Sequence, residues 1–285
     1  MSYFLKIINY FLQSLIVYLF FLIGKVSGLK IGRKIFSKLF ILIGPILKSR
    51  KVINQNLNIF LNQVSNHSEE EITHNMWKNY GMTFIEYIFL NYFRSQNSHI
   101  KIIGEENLPH NSKPVIFVSG HSANYELMSM EITKKNIPLA TIYRPLNNIF
   151  LNPFMEYLRK KYICKNQIKK GINGVRESIE FIKKKYSIAL MIDQRVSEGE
   201  KIAFFGKSAF TTTLPAQLSM KFNLDIVPVF IERMNNDNFK LEFQKKIEPK
   251  NFKNKIELSK KLNNVLELMV QKNPGQWIWT HNRWK

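Results

Sequence analysis

The sequence predicts an α/β fold: a mixed, mostly parallel sheet flanked by helices, behind an N-terminal membrane-anchoring helix. Three observations predict it. From Ile100 onward, short apolar runs alternate with longer segments of helical periodicity. Residues 7–24 (IINYFLQSLIVYLFFLIG) are apolar and carry no formal charge. An apolar run, Pro114-Val-Ile-Phe-Val118, leads through Ser119-Gly120 into His121-Ser-Ala-Asn-Tyr-Glu126. That is a strand, a tight turn and a helix start, with a base and an acid at the junction.

Taken in order, the first element is the anchor. A helix over 7–24 rises about 27 Å, just enough for a bilayer core. The flank that follows is basic (Lys25, Lys30, Arg33, Lys34, Lys38), which places the rest of the chain on the cytoplasmic side by the positive-inside rule. No alanine precedes Ala123, so a cleaved signal peptide is disfavoured. A helix lying in the interface is the rival, because Asn9, Gln13 and Ser14 interrupt the apolar run. Residues 36–47 form a second apolar patch, broken by Gly44-Pro45. It suits packing on the membrane surface or on the domain. Residues 1–50 are therefore expected to form an anchor and interfacial segment, and 51–285 the α/β domain.

Residues 53–93 read as helical, with Ser68 as cap, Glu69, Glu70 and Glu71 as an acidic first turn, and Met76, Trp77, Tyr80, Phe84, Tyr87 and Ile88 at helical spacing. Strands are expected at 115–118, 139–143, 187–193, 225–231 and 277–280. Helices are expected at 127–134, 150–161, 175–185, 214–222 and 256–270. Sheets of this kind bind ligands beyond the carboxyl ends of their strands. His121 and Asp193 both stand at such ends.

Composition narrows the function. Hydrophobic residues make up 45% of 285, enough for a sizeable core. One cysteine, Cys164, excludes an internal disulfide and a multi-cysteine metal site. The net charge of +21 favours anionic partners. Its lysines are dispersed, no nucleic-acid recognition module is present, and an apolar anchor is, so nucleic acid is an unsuitable partner. The chain is also rich in Lys, Asn and Ile, a bias that accounts for part of the excess.

The junction carries the chemistry. Residues five apart on an ideal helix lie about 140° apart, so His121 and Glu126 meet only if His121 precedes the helix, a turn that Gly120 eases. A carboxylate holding one imidazole nitrogen sets the tautomer and leaves the other nitrogen as a base. That suits proton removal from a hydroxyl followed by attack on an activated acyl group. No G-x-S-x-G elbow is present, which favours direct transfer over an acyl-enzyme.

The stretch GHSANYE resembles the first block of the glycerolipid acyltransferase superfamily, and its Glu, with Asn124 and an aromatic before the acid, resembles the lipid A biosynthesis lauroyl/myristoyl acyltransferase family. Further blocks agree in order: Tyr143-Arg-Pro-Leu-Asn-Asn148; Met191-Ile-Asp-Gln194 with Phe204-Phe-Gly206 and Thr211-Thr-Thr213; Pro228-Val-Phe with Arg233; and Gln276-Trp-Ile-Trp-Thr-His-Asn-Arg-Trp-Lys285. The resemblance implies an inner-membrane enzyme facing the cytoplasm. It would move a fatty acyl chain from acyl carrier protein to a hydroxyl of an anionic lipid A precursor, with no cofactor and no metal. His121 carries over as base and Glu126 as its partner. Arg159 is the expected substrate-contacting cation, with Arg144 as rival and Lys160 and Lys161 crowding the place. Asp193 and Gln194 carry over as site-lining residues, and Arg233 as a substrate-binding candidate. Another acceptor (a lysophospholipid, an aminolipid or a mannosylated lipid) is the alternative. His67, His74, His110 and His281 carry no partner motif; His281 lies in the last block, where a structural place near the site is expected.

Overall fold

The computed structural model describes residues 3–64, 67–109, 113–235 and 237–285, which leaves His110 outside the described residues. Helix α1 (Tyr3–Leu47) is followed by α2 (Arg50–Leu61), α3 (Glu69–Glu86) and α4 (Leu90–Ser95). The α/β part then runs β1 (Ile100–Ile103), β2 (Ile116–Ser119), α5 (Glu126–Lys134), β3 (Leu139–Tyr143), α6 (Asn152–Leu158), β4 (Asn166–Lys169), α7 (Ile172–Lys183) and β5 (Ser187–Met191). It continues through β6 (Glu200–Phe204), β7 (Lys207–Thr211), α8 (Leu214–Phe222), β8 (Ile226–Arg233), β9 (Phe239–Phe243) and α9 (Lys255–Lys272).

Seven strands form one sheet in the order β1-β9-β8-β2-β5-β3-β4, and β8 against β9 is its antiparallel pair. The central strand β2 is buried on both faces, as parallel strands covered by helices are. Its carboxyl end and that of β5 lie side by side, with Ser119 opposite Met191. The residues that follow each strand, His121 and Asp193, are therefore delivered to one place although 72 positions separate them. The expected strand at 277–280 is absent. Trp277 makes one isolated antiparallel bridge to Ser122, and the segment otherwise takes turns. The hairpin β6–β7 was not expected. Its connection is Phe205-Gly206, both at positive φ, the geometry that two-residue hairpins need. Its alternation is too short and too lysine-rich to stand out.

Helix α1 is long and apolar enough to cross a membrane, but it is not straight. Gly28 takes φ 76, ψ 166, outside helical geometry. The chain folds back there: an ideal Cβ on Gly32 lies 3.8 Å from Cα of Gly24, and the rings of Phe20 and Phe36 stand 5.5 Å apart. In a straight helix 16 residues would separate those rings by about 24 Å. The two arms, 3–27 and 29–47, form a hairpin. Its second arm packs on α3 through small residues, and its first arm reaches the segment after β3. There Asn148 donates to the Tyr10 carbonyl at 2.8 Å and the rings of Phe11 and Phe150 meet edge to face. The first arm's other sides expose Phe4, Leu12, Leu15, Ile16, Leu19 and Leu22, a broad apolar surface.

Close approach of the second arm to α3 rests on Gly81. A methyl group there would stand 2.1 Å from the Phe36 carbonyl oxygen, and backbone cannot swing aside. The substitution Gly81→Ala should therefore cost about 1–3 kcal/mol. Denaturation of the detergent-solubilised protein measures this; an unchanged midpoint would refute the packing.

Candidate active site

The junction loop between β2 and α5 is short and held from both sides. Its left-handed residue is Ala123 (φ 49), whereas Gly120 is not among the positive-φ glycines. A non-glycine residue persists in that region only where its surroundings over-determine it. Here the Ala123 N–H donates to the Gln276 carbonyl at 3.0 Å, and its carbonyl accepts from Thr83 Oγ1 at 3.0 Å and Asn79 Nδ2 at 3.4 Å. His121 precedes the helix, which begins at Glu126.

The carboxylate on the imidazole is Asp193, not Glu126. His121 Nδ1 lies 2.7 Å from Asp193 Oδ1, and the His121 backbone N–H donates to Asp193 Oδ2 at 2.8 Å. Trp277 Nε1 donates to the same oxygen at 2.8 Å. A carboxylate only accepts, so neutral His121 carries its proton on Nδ1 and its lone pair on Nε2. Burial works to raise the Asp193 pKa. The His121 ring, the hydrogen bonds from its ring and backbone, and that from Trp277 outweigh burial and hold it at about 2.

Glu126 faces the other way. Its Oε1 accepts from Arg159 Nε at 2.9 Å and Nη2 at 2.7 Å, and from the Tyr87 hydroxyl. The physical reason is helical: Glu126 opens α5, and its side chain leaves toward α6 rather than back toward the loop. Arg159 begins a π-helical turn, Arg159–Ile163, that closes α6 and turns the guanidinium inward between the Tyr87 and Tyr143 rings. Burial opposes the charge on Arg159, but Glu126 beside it raises its pKa. Arg159 Nη1 is buried without a partner.

These groups border one cleft of about 510 Å³. His121, Glu126, Arg144, Arg159 and Gln194 line it; Asp193 stands behind His121. Met128, Ile142, Leu190 and Met191 supply an apolar wall. Lys48, Arg144 and Lys170 bring positive charge to it, and Glu198 acts on Lys170 from a distance. Lys170 emerges beside Arg144, its N–H bonded to the Tyr143 carbonyl at 2.9 Å. Crowding in the cleft and the Arg144 charge both lower its pKa.

Arg233 is not in the cleft. It is buried under the junction loop, with Nη1 2.6 Å and Nη2 3.0 Å from the carboxylate of Glu86. Arg33 Nε reaches Glu86 Oε1 at 2.6 Å, and Asn124 Nδ2 donates to its Oε2 at 2.9 Å. Arg233 is thus an ion-pair residue of the scaffold. Among residues the sequence left unassigned, Glu86 and Tyr87 lay in a helix whose periodicity reads as plain core. Trp277 had a signal, the C-terminal Gln276-Trp-Ile-Trp block, but nothing in it names Asp193 as partner. No group of three or more His, Cys, Asp or Glu suited to a metal ion occurs among the described residues.

The family model described as bacterial lipid A biosynthesis acyltransferase matches residues 2–285. A search of curated proteins returned no match. Among solved structures, the crystal structure of the 1-acyl-sn-glycerophosphate (LPA) acyltransferase, PlsC, from Thermotoga maritima is similar over 88% of this chain and 100% of that one, at 17% identity and a TM-score of 0.44.

The lowered Asp193 pKa gives a signed expectation. A carboxyl group whose pKa falls on folding stabilises the fold above its unfolded value and loses that contribution as pH drops through the folded one. The contribution, about 2 kcal/mol, is therefore present above about pH 4 and lost between about pH 4 and pH 2. Urea denaturation should show a stability gap between wild type and Asp193→Asn that is wide at pH 7 and narrows by pH 3. A gap independent of pH would contradict the ionised pair.

Proposed function

Since the chain belongs to the bacterial lipid A biosynthesis acyltransferase family, we propose that it moves a fatty acyl chain from acyl carrier protein to a hydroxyl of a lipid A precursor, at the cytoplasmic face of the inner membrane. The observation that carries the reading is the His121–Asp193 pair at the edge of a cleft that is part apolar and part cationic. Asp193 fixes the ring with Nδ1–H turned inward, which leaves the Nε2 lone pair for the acceptor hydroxyl. His121 takes that proton as the oxygen attacks the thioester carbonyl, and returns it to the departing thiolate. The apolar wall suits the acyl chain. The cations of the cleft suit an anionic glycolipid and the phosphodiester arm of an acidic carrier protein. Glu126 acts one step back, as the carboxylate that holds Arg159 in the wall.

The apolar hairpin supports membrane association, and the basic residues from Lys25 to Lys38 support the cytoplasmic side. The acceptor is open to a second reading, a lysophospholipid, an aminolipid or a mannosylated lipid, since the same cation set accepts any of their anionic groups.

Purified protein is assayed with acyl carrier protein thioesters and a panel of acceptors. Transfer to a lipid A precursor is expected, lost in His121→Ala and lowered about 10²–10⁴-fold in Asp193→Asn. Wild-type rates in both variants would sink the mechanism. Transfer confined to a lysophospholipid would replace the acceptor.

A further inference from the structure

A second imidazole borders the cleft, and the same loop that orients His121 orients it. His281 Nε2 lies 2.8 Å from the backbone nitrogen of Arg195, two residues beyond Asp193. A backbone N–H can only donate, so Nε2 is the acceptor and the ring proton resides on Nδ1. The backbone that carries the ring is held from behind. Asn56 of α2 donates to the His281 carbonyl at 2.7 Å and to the Trp279 carbonyl at 2.8 Å, and the Arg283 N–H donates to the His281 carbonyl at 2.9 Å. The Nδ1–H has no protein partner among the described residues, and its side chain lines the cleft that His121 lines.

The two histidines are therefore set to opposite tasks by one loop. The Asp193 carboxylate engages Nδ1 of His121 and leaves a lone pair. The Arg195 N–H engages Nε2 of His281 and leaves a donor. We infer that His281 is a second catalytic group, a neutral Nδ1–H donor to the oxyanion formed when the acceptor hydroxyl attacks the acyl thioester. This rests on the acyl-transfer reading. His121 Nε2 takes the hydroxyl proton, the oxygen bonds to the carbonyl carbon, and the carbonyl oxygen becomes an anion that accepts the His281 hydrogen bond. The anion then collapses, the C–S bond breaks, and the thiolate leaves with the proton held by His121. His281 donates throughout and transfers nothing, as stabilisation of developing charge requires.

The electrostatics agree. Burial lowers the His281 pKa; Asp193 opposes this, and His121 and Arg283 add to it, so the net direction is down. A ring kept neutral at pH 7 retains the Nε2 lone pair that the Arg195 N–H needs, and with it the orientation of the donor.

The test compares His281→Ala, His281→Gln and His281→Asn in the acyl carrier protein thioester assay, with a long-range 15N–1H correlation spectrum of the histidine-labelled wild type in micelles. An asparagine places an N–H near the Nδ1 position, and a glutamine places its amide near Nε2. Expected are a fall in kcat of about 10²–10³-fold with KM little changed for Ala and Gln, and substantial recovery for Asn. The spectrum should show the His281 proton on Nδ1. An active wild type with an unaffected His281→Ala overturns this inference and leaves the functional reading standing, as does equal loss in Asn and Gln, or a proton found on Nε2. A wild type unable to use the thioester overturns both.

Discussion

Glu86 carries a carboxylate where water does not reach, and four parts of the protein meet on it. Arg33 comes from the second arm of the hairpin, Arg233 from the end of β8, Asn124 from the junction loop, and Glu86 itself from α3. Burial acts to raise its pKa, and Arg233 and Arg33 more than reverse this and hold it ionised. Both buried guanidinium groups depend on this one carboxylate for their ion pair. Removing the carboxylate would strand two buried cations, a loss of the order of 3–5 kcal/mol. The same helix side also supplies Asn79 and Thr83, which bond the carbonyl of the left-handed Ala123. The loop that presents His121 is thus built on the helix that receives the membrane hairpin.

Two carboxylates flank the site, and they divide its work. Asp193 is spent on His121, so its influence is on the position and tautomer of that ring. Glu126 is spent on Arg159, so its influence is on the shape and charge of the cleft wall. Both sit close to His121 along or across the sheet, and only the direction of each side chain separates the roles. An acid five residues after a histidine therefore marks this junction without being the group that touches the ring.

Most of the sheet was legible because its strands are apolar runs bounded by turns. β2, β3, β5 and β8 and the helices between them show directly in the periodicity. Less legible were the edge strands β1 and β4, the inner strand β9 and the β6–β7 hairpin, all of which mix lysine with apolar residues. The residues of the candidate site were mostly named, but not their pairings. His121–Asp193 joins positions 72 apart, and Arg233–Glu86 joins positions 147 apart. Such pairs are set by strand order, which local pattern does not encode. The geometry also reassigned the reason for the tight turn: the left-handed residue is an alanine supported by neighbours, not the adjacent glycine.

The reversal at Gly28 bears on how the chain is made. Synthesis proceeds from the amino end, and domains generally fold as they emerge. Both hairpin arms leave the ribosome ahead of α3, and the surface around Asn148 and Phe150 that the first arm meets comes some hundred residues later, at roughly 5–20 residues per second. For that interval of several seconds the face of the first arm that meets Asn148 and Phe150 has no partner from its own chain. The last pieces to arrive, Arg233 and Gln276, close the buried charge and the junction loop together, so His121 acquires its orientation only when the chain is nearly complete.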